Sequence, residues 1–334
     1  CRSRHHDGQR SCSSLNNKPN SVGCLPSHWS TWRYLLVQYD HHYPHLGSLT
    51  QNTQPDSWHD FGVTQLTPGT QEWLDQVVED IVEPDLPILD PHHHMWPQGQ
   101  GLPYTRNDLH RDAGAGHNVV KTIFMECGSA YNREAPEHLR SLGETKYIAD
   151  EALSDPNPLI AGIVSSIDLR RDDRDELLDM HVEASRGLFR GIRDALALAT
   201  HPEAMMIPGH SMKDLYLDPA FRRGVARLGE RGFTYDSWHY HHQNREFLDL
   251  ARATPGTTMV LDHFGTPVGV GPYASQRDEI FEQWKKDITE IAKCPNVVAK
   301  IGGLAMPDNG FGWNTATRPP TSDEFNAQQS RYYL

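Results

Sequence analysis

Three consecutive histidines close a short apolar run in ILDPHHHMWP, residues 88–97. In a β-strand, residues i and i+2 project from one face about 6.6 Å apart. His92 and His94 would therefore converge while His93 points the other way. Two imidazoles aimed at one point at a strand end make the beginning of a metal site. Imidazole is the commonest metal ligand, and a catalytic divalent ion takes three protein ligands and keeps a position open for water. An exposed polar turn is the plainer reading of HxH alone. Two further stretches weigh against it. WHYHHQ (238–243) places His239, His241 and His242 at the end of a β-rich run, and LDHFG (261–265) does the same with His263. A packing explanation would have to hold at three strand ends at once.

Other chemistry-bearing residues sit at similar places. Glu126 in MECG ends the second β-rich run, where a buried carboxylate reads as functional. Arg190 and Arg193 in FRGIRD have the fork geometry to grip a substrate carboxylate. Only one of them need face the mouth, and a surface ion pair to Asp194 is the structural alternative. Lys300 ends the seventh run and reads as an anion contact. Cys127 has no partner pattern and reads as core.

These residues need a scaffold that brings strand ends together. The β-rich runs are 88–94, 119–128, 159–169, 189–196, 233–242, 257–265 and 297–304, with helical stretches between most of them. GTQEWLDQVVEDIVEPD (69–85) carries apolar residues at helical spacing behind Thr70. DPAFRRGVARLGERG opens with Asp218 as cap and Pro219 at the first helical position. SQRDEIFEQWKKDITEIAKCPN has a Ser275/Asp278 capping pattern with Phe281, Trp284, Ile288 and Ile291 facing inward. Near-continuous apolar strands alternating with amphipathic helices predict a parallel sheet covered on both faces. Seven such strands point to a (β/α)8 TIM barrel whose eighth strand is missing from the chain.

Composition narrows the function. Across 334 residues, 31 Lys+Arg against 44 Asp+Glu leave a net charge of −13, which argues against nucleic-acid and anionic-membrane binding. The cysteines form no CxxC pair, no apolar run has the roughly 18–20 residues that span a bilayer, and no basic-then-apolar leader opens the sequence. A cytoplasmic enzyme acting on a small molecule is expected, with its oligomeric state open. Residues 1–69 are Ser-, Asn-, Gln-, Pro- and His-rich without sustained period and read as an irregular segment before a domain at 70–334. The first residue is Cys1 rather than Met, which reads as a fragment or an imperfect gene model.

The motifs DPHHHMW, MECGSAY, GIVSSIDL, RGIRDAL, VLDHFGTPVGVGPYASQRDEIFEQW and NVVAKIGGLAMP occur in this order. Through them the chain resembles the amidohydrolase-related TIM-barrel metal-dependent hydrolases, in the branch of sugar-lactone and 2-pyrone-4,6-dicarboxylate lactone hydrolases. The resemblance spans roughly residues 70–320. It implies a divalent metal, zinc first, on His92 and His94. His241 is the fifth-strand ligand it implies, with His239 and His242 as competitors. His263 would ligate or act as acid/base beside the metal. Arg190, Arg193, Lys300 and Tyr240 would line a site for an anionic or sugar-derived substrate. A water activated by the metal, with its pKa lowered to about 7, would be the nucleophile. The eighth-strand aspartate of the family has no counterpart here. Two other readings remain open: a non-oxidative decarboxylase using the same histidines, and an inactive truncated chain with at most a binding role. Because residues 1–69 lack an apolar face, deleting them should leave the thermal midpoint of the remainder within a few degrees. A large loss of soluble yield would contradict that.

Overall fold

The computed structural model describes residues 67–100 and 104–333, so nearly all of the 1–69 segment lies outside the described residues. Seven parallel strands follow one another in chain order as one curled sheet, a half-barrel with helices between the strands. They are β1 (Ile88–His93), β2 (Val119–Met125), β3 (Ile160–Ser165), β4 (Phe189–Ala195), β5 (Thr234–Trp238), β6 (Met259–Leu261) and β7 (Val297–Ala299). This is an incomplete (β/α)8 barrel. Each strand end is brought beside the next, as a site shared among strands requires.

Burial along the strands shows where the sheet is open. β3 is almost wholly buried and β4 nearly so, whereas β1 alternates and β7 is largely exposed. Among the described residues, β1 pairs only with β2 and β7 only with β6. Leu89, Val298 and Ile301 are each about half exposed there.

The helices between strands bury one face each. α1 (Gln71–Leu74) precedes β1, α2 (Arg106–Ala113) follows it, and α3 (Ser141–Ser154) and α4 (Arg174–Ser185) flank β3. α5 (Pro219–Glu230) starts as the sequence predicts, with the Asp218 carboxylate accepting from the Ala220 and Phe221 amides. Its Phe221, Val225 and Leu228 pack with Phe247 and Leu250 of α6 (Asn244–Ala253) into the largest apolar cluster. α7 (Arg277–Ile291) buries Trp284 and Ile291, with Phe281 and Ile288 partly buried. It begins without a side-chain cap, since Ser275 belongs to a preceding 3-10 turn. α8 (Ser322–Gln329) carries a Thr321/Glu324 capping box.

The predicted helix over 69–85 is a correction. Only the four residues of α1 are helical, capped by Thr70, and Trp73 is fully buried with its indole N–H donating to the Ala316 carbonyl at 2.9 Å. Val78 and Val82 remain exposed. Most helical stability comes from packing an apolar face. These valines have nothing to pack against, so the periodicity goes unused.

Unpaired strand edges with exposed apolar residues template association. Replacing Val298 and Ile301 together by lysine should lower light scattering at matched protein concentration and raise the soluble fraction. Unchanged scattering would show that this edge is harmless.

Candidate active site

The alternation at the end of β1 separates the three histidines. His93 is 1% exposed and packs edge-to-face on Phe124 at 5.8 Å. Burial pushes its pKa down to about 3, so it is a neutral core residue. His92 and His94 turn to the other face, with their Nε2 atoms 3.2 Å apart. The Nδ1 of His94 lies 2.8 Å from the Met125 carbonyl oxygen. A carbonyl only accepts, so His94 carries its hydrogen on Nδ1 and presents a lone pair at Nε2.

Beside this pair runs a chain of buried charges drawn from five other strands. The Arg193 Nε of β4 donates to Glu126 Oε1 at 2.9 Å, and the same guanidinium reaches the Glu126 carbonyl. Its Nη1 is 3.8 Å from Asp262 Oδ2, just after β6. Lys300 Nζ, just after β7, lies 2.8 Å from Asp262 Oδ1 and 2.7 Å from Asp236 Oδ2 of β5. Signs alternate along the series, which is how buried charges are tolerated. Burial alone would raise the Asp262 carboxyl; the neighbouring Lys300, His263 and Arg193 override it and hold Asp262 below the usual range. Lys300 is likewise disfavoured by burial, and its two carboxylates hold it above the ordinary lysine value.

His263 stands 4.6 Å from His92, ring centre to ring centre. Burial pushes its pKa down to about 4, and its Nδ1 is buried without a hydrogen-bond partner. It opens a run of left-handed backbone: φ is 52° at His263, 57° at Phe264, 65° at Gly265 and 35° at Thr266. Three of these are not glycine, each costing on the order of 1–3 kcal/mol. Anchors hold the run. Trp284 Nε1 donates to the Phe264 carbonyl at 2.6 Å, Trp238 Nε1 to Thr266 Oγ1 at 3.1 Å, and the His241 amide to the Thr266 carbonyl at 3.2 Å. Across from His263 sits Gly303 at φ 88°, where a Cβ would come within 2.3 Å of His263 Nδ1.

Ligand-capable atoms of His92, Asp262 and His263 lie within 4.8 Å of one another, the one such group among the described residues. The donor types fit a divalent ion. Asp262 Oδ2 has no partner closer than the Arg193 Nη1 at 3.8 Å, His263 Nδ1 is orphaned, and His94 aims a lone pair at the same space.

The fifth-strand histidines stand apart from the group formed by His92, Asp262 and His263. His239 is fully buried and saturated, with Nδ1 against Ser237 Oγ (2.9 Å) and Tyr216 OH (3.0 Å), and Nε2 against Asn244 Oδ1 (3.0 Å). His241 accepts the Val268 amide on Nδ1 at 3.1 Å and packs on Tyr273. His242 reaches the Leu198 carbonyl at 3.0 Å. β5 is shorter than predicted, and its alternation turns Asp236 inward and His239 outward. Asp236 and Asp262 escape a sequence reading that follows histidines. The available signal was period-2 parity in TYDSW and the residue before His263.

The expected substrate contacts are placed differently from one another. Arg190 is exposed and donates to the carbonyls of Gly187, Phe189 and Ala161, at the end of the strands opposite the histidines. The Tyr240 hydroxyl accepts the Gly209 amide and donates to the Ile207 carbonyl, each at 2.8 Å, so it pins a loop. The Lys300 ammonium is taken by two carboxylates. Arg193 and Glu126 do lie in the site, paired with each other. Cys127 is partly buried, and its thiol, pushed up by burial, sits 3.7 Å from Glu144.

Glu144 of α3 was not foreseen. Its Oε1 accepts the Cys127 amide at 3.1 Å and the Ser129 amide at 2.7 Å, pinning the loop that follows Glu126. Burial, then the charge of Glu126, pushes its pKa up to about 8 from the ordinary 4.5. Between those values the folded chain holds a proton that the unfolded chain releases, so stability falls as pH rises across that window. Glu144→Gln keeps the acceptor and removes the titration. Its thermal midpoint should gain on the wild type from pH 5 to pH 8, and an equal difference at both would refute this. Gly303→Ala should lower the midpoint by several degrees and shift the His263 imidazole NMR resonances. Unmoved resonances would show that the ring is not wedged there.

Comparison with known proteins agrees with this architecture. The amidohydrolase family profile matches residues 89–328. An uncharacterized protein of Sinorhizobium fredii, y4mH, is 30% identical over 261 residues, covering 72% of this chain and 80% of that one. An L-fucono-1,5-lactonase of Burkholderia ambifaria is 25% identical over 228 residues, 65% of this chain and 67% of that one. The crystal structure of an amidohydrolase from Burkholderia multivorans, solved with bound zinc, superposes with a TM-score of 0.54 at 21% identity, covering 73% of this chain and 77% of that one. With matching motifs along most of the described fold, the chain belongs to the amidohydrolase family.

Proposed function

We propose that this chain hydrolyses a small lactone or a related ester-like carbonyl, with a divalent metal ion, zinc first, in the site. The observation that carries the reading is the convergence of His92 and His94 on one point beside the buried Asp262 and His263. The Burkholderia ambifaria relative, an L-fucono-1,5-lactonase, supports a lactone as the substrate class. His92, His94 and Asp262 would hold the ion, with His263 beside it. Bound there, it would supply Lewis acidity, polarising a carbonyl and acidifying water.

The chain's own groups supply the rest. His263 Nδ1, without a partner, is placed to accept a proton and return it to the leaving oxygen. Arg193, held by Glu126, presents positive charge on the side of Asp262, where a substrate anion or a developing oxyanion gains from it. Trp96 is buried with its ring 6.0 Å from that of His94 and limits water there. The ring opens by addition of water across the acyl–oxygen bond, giving a hydroxy acid.

The test is a panel of five- and six-membered sugar lactones followed by alkali uptake in a pH-stat. Turnover is expected. His94→Asn and His263→Asn should each lower kcat/KM by about 10² or more. Carbon dioxide release from aromatic or unsaturated acids, with no lactone turnover, would replace this reading by decarboxylation.

A further inference from the structure

Lys300 Nζ stands 2.7 Å from Asp236 Oδ2, 2.8 Å from Asp262 Oδ1 and 3.3 Å from His92 Nδ1, and its side chain is 8% exposed. Two carboxylates and an imidazole around one point are a ligand set for a divalent cation. The point is filled by an ammonium. We propose that Lys300 is a tethered resident cation, seated where Asp236, Asp262 and His92 would otherwise bind a divalent metal ion, and that it keeps the metal affinity of the wild-type chain low.

Two effects act together. The first is charge: a doubly positive ion brought within a few ångström of a buried ammonium meets repulsion that solvent does not screen. The second is the tautomer of His92. An ammonium has no lone pair, so facing His92 Nδ1 it can only donate. His92 then carries its hydrogen on Nε2, the atom that faces His94 Nε2 at 3.2 Å. His94 is the reverse case, since the Met125 carbonyl at its Nδ1 leaves Nε2 with a lone pair. The two histidines therefore form a complete N–H···N hydrogen bond. That tautomer of His92 leaves the Nδ1 lone pair facing the Lys300 seat, so an ion enters the seat only when Lys300 withdraws, and enters between the two Nε2 atoms only when His92 changes tautomer. Asp236 matters because it is the second anchor of Lys300 and gives the seat its second carboxylate.

The experiment is equilibrium dialysis with Zn²⁺ alone, on the full chain and on Lys300→Met and Lys300→Gln, with no substrate present. It can therefore fail while lactone hydrolysis stands, and the reverse. Both variants should bind one Zn²⁺ at least ~30-fold more tightly than wild type. Asp236→Asn added to Lys300→Met should abolish most of the gain. With Co²⁺, only the two single variants should develop visible absorption at low micromolar metal. Wild-type binding as tight as that of the variants would overturn the proposal, as would variants that bind no better. If the variants do not fold in chelator, refolding with Zn²⁺ decides. Recovery of the far-ultraviolet helix signal supports a cation seat, and no recovery overturns it.

Discussion

The series Glu126–Arg193–Asp262–Lys300–Asp236 is the constraint on which the rest of the site depends. Each member is less than a tenth exposed. A buried charge stripped of its partner costs several kcal/mol, roughly 3–5 when one half of a pair is removed. The series therefore has to be assembled whole. It draws on the ends of β2, β4, β6, β7 and β5, so correct register of these strands and neutralisation of the interior are one requirement. His92 joins through Lys300, which brings β1 into the same network.

Around this core the backbone is held in conformations that ordinary local preferences would not choose. The left-handed run from His263 to Thr266 ends β6 after three residues and turns the His263 ring toward His92. Its carbonyls and hydroxyl are met by Trp284, Trp238 and the His241 amide. The expected fifth-strand ligand thus contributes through its backbone to placing the sixth-strand histidine. Its own ring serves the loop at Val268. Gly303 completes the arrangement by leaving out the Cβ that the imidazole displaces.

The loops over the strand ends are tied down by polar side chains. Tyr240 and Asp308 both fix the 206–209 stretch, the first through the Ile207 carbonyl and Gly209 amide, the second through the Met206 and Ile207 amides. Glu144 does the same for the loop after β2. Buried backbone groups must find partners. In loops without ladder partners, side chains such as Tyr240, Asp308 and Glu144 supply them.

What the sequence determined by itself were features set within a few residues. The run of parallel strands is legible because buried strands need apolar residues throughout. Helix starts such as Asp218–Pro219 are legible because caps are local. The separation of His93 from His92 and His94 follows from the two-residue period of a strand. What only the tertiary structure decided is whatever depends on partners distant in sequence. It decided that 77–82 stays unwound for want of a surface to cover, and that His239 is spent on Asn244 and Ser237. It also decided that Asp236 and Asp262 share one ammonium, 64 residues from the first in the chain. A side chain's type states which interactions it is able to make; burial and the partners delivered by other strands determine which of them it makes.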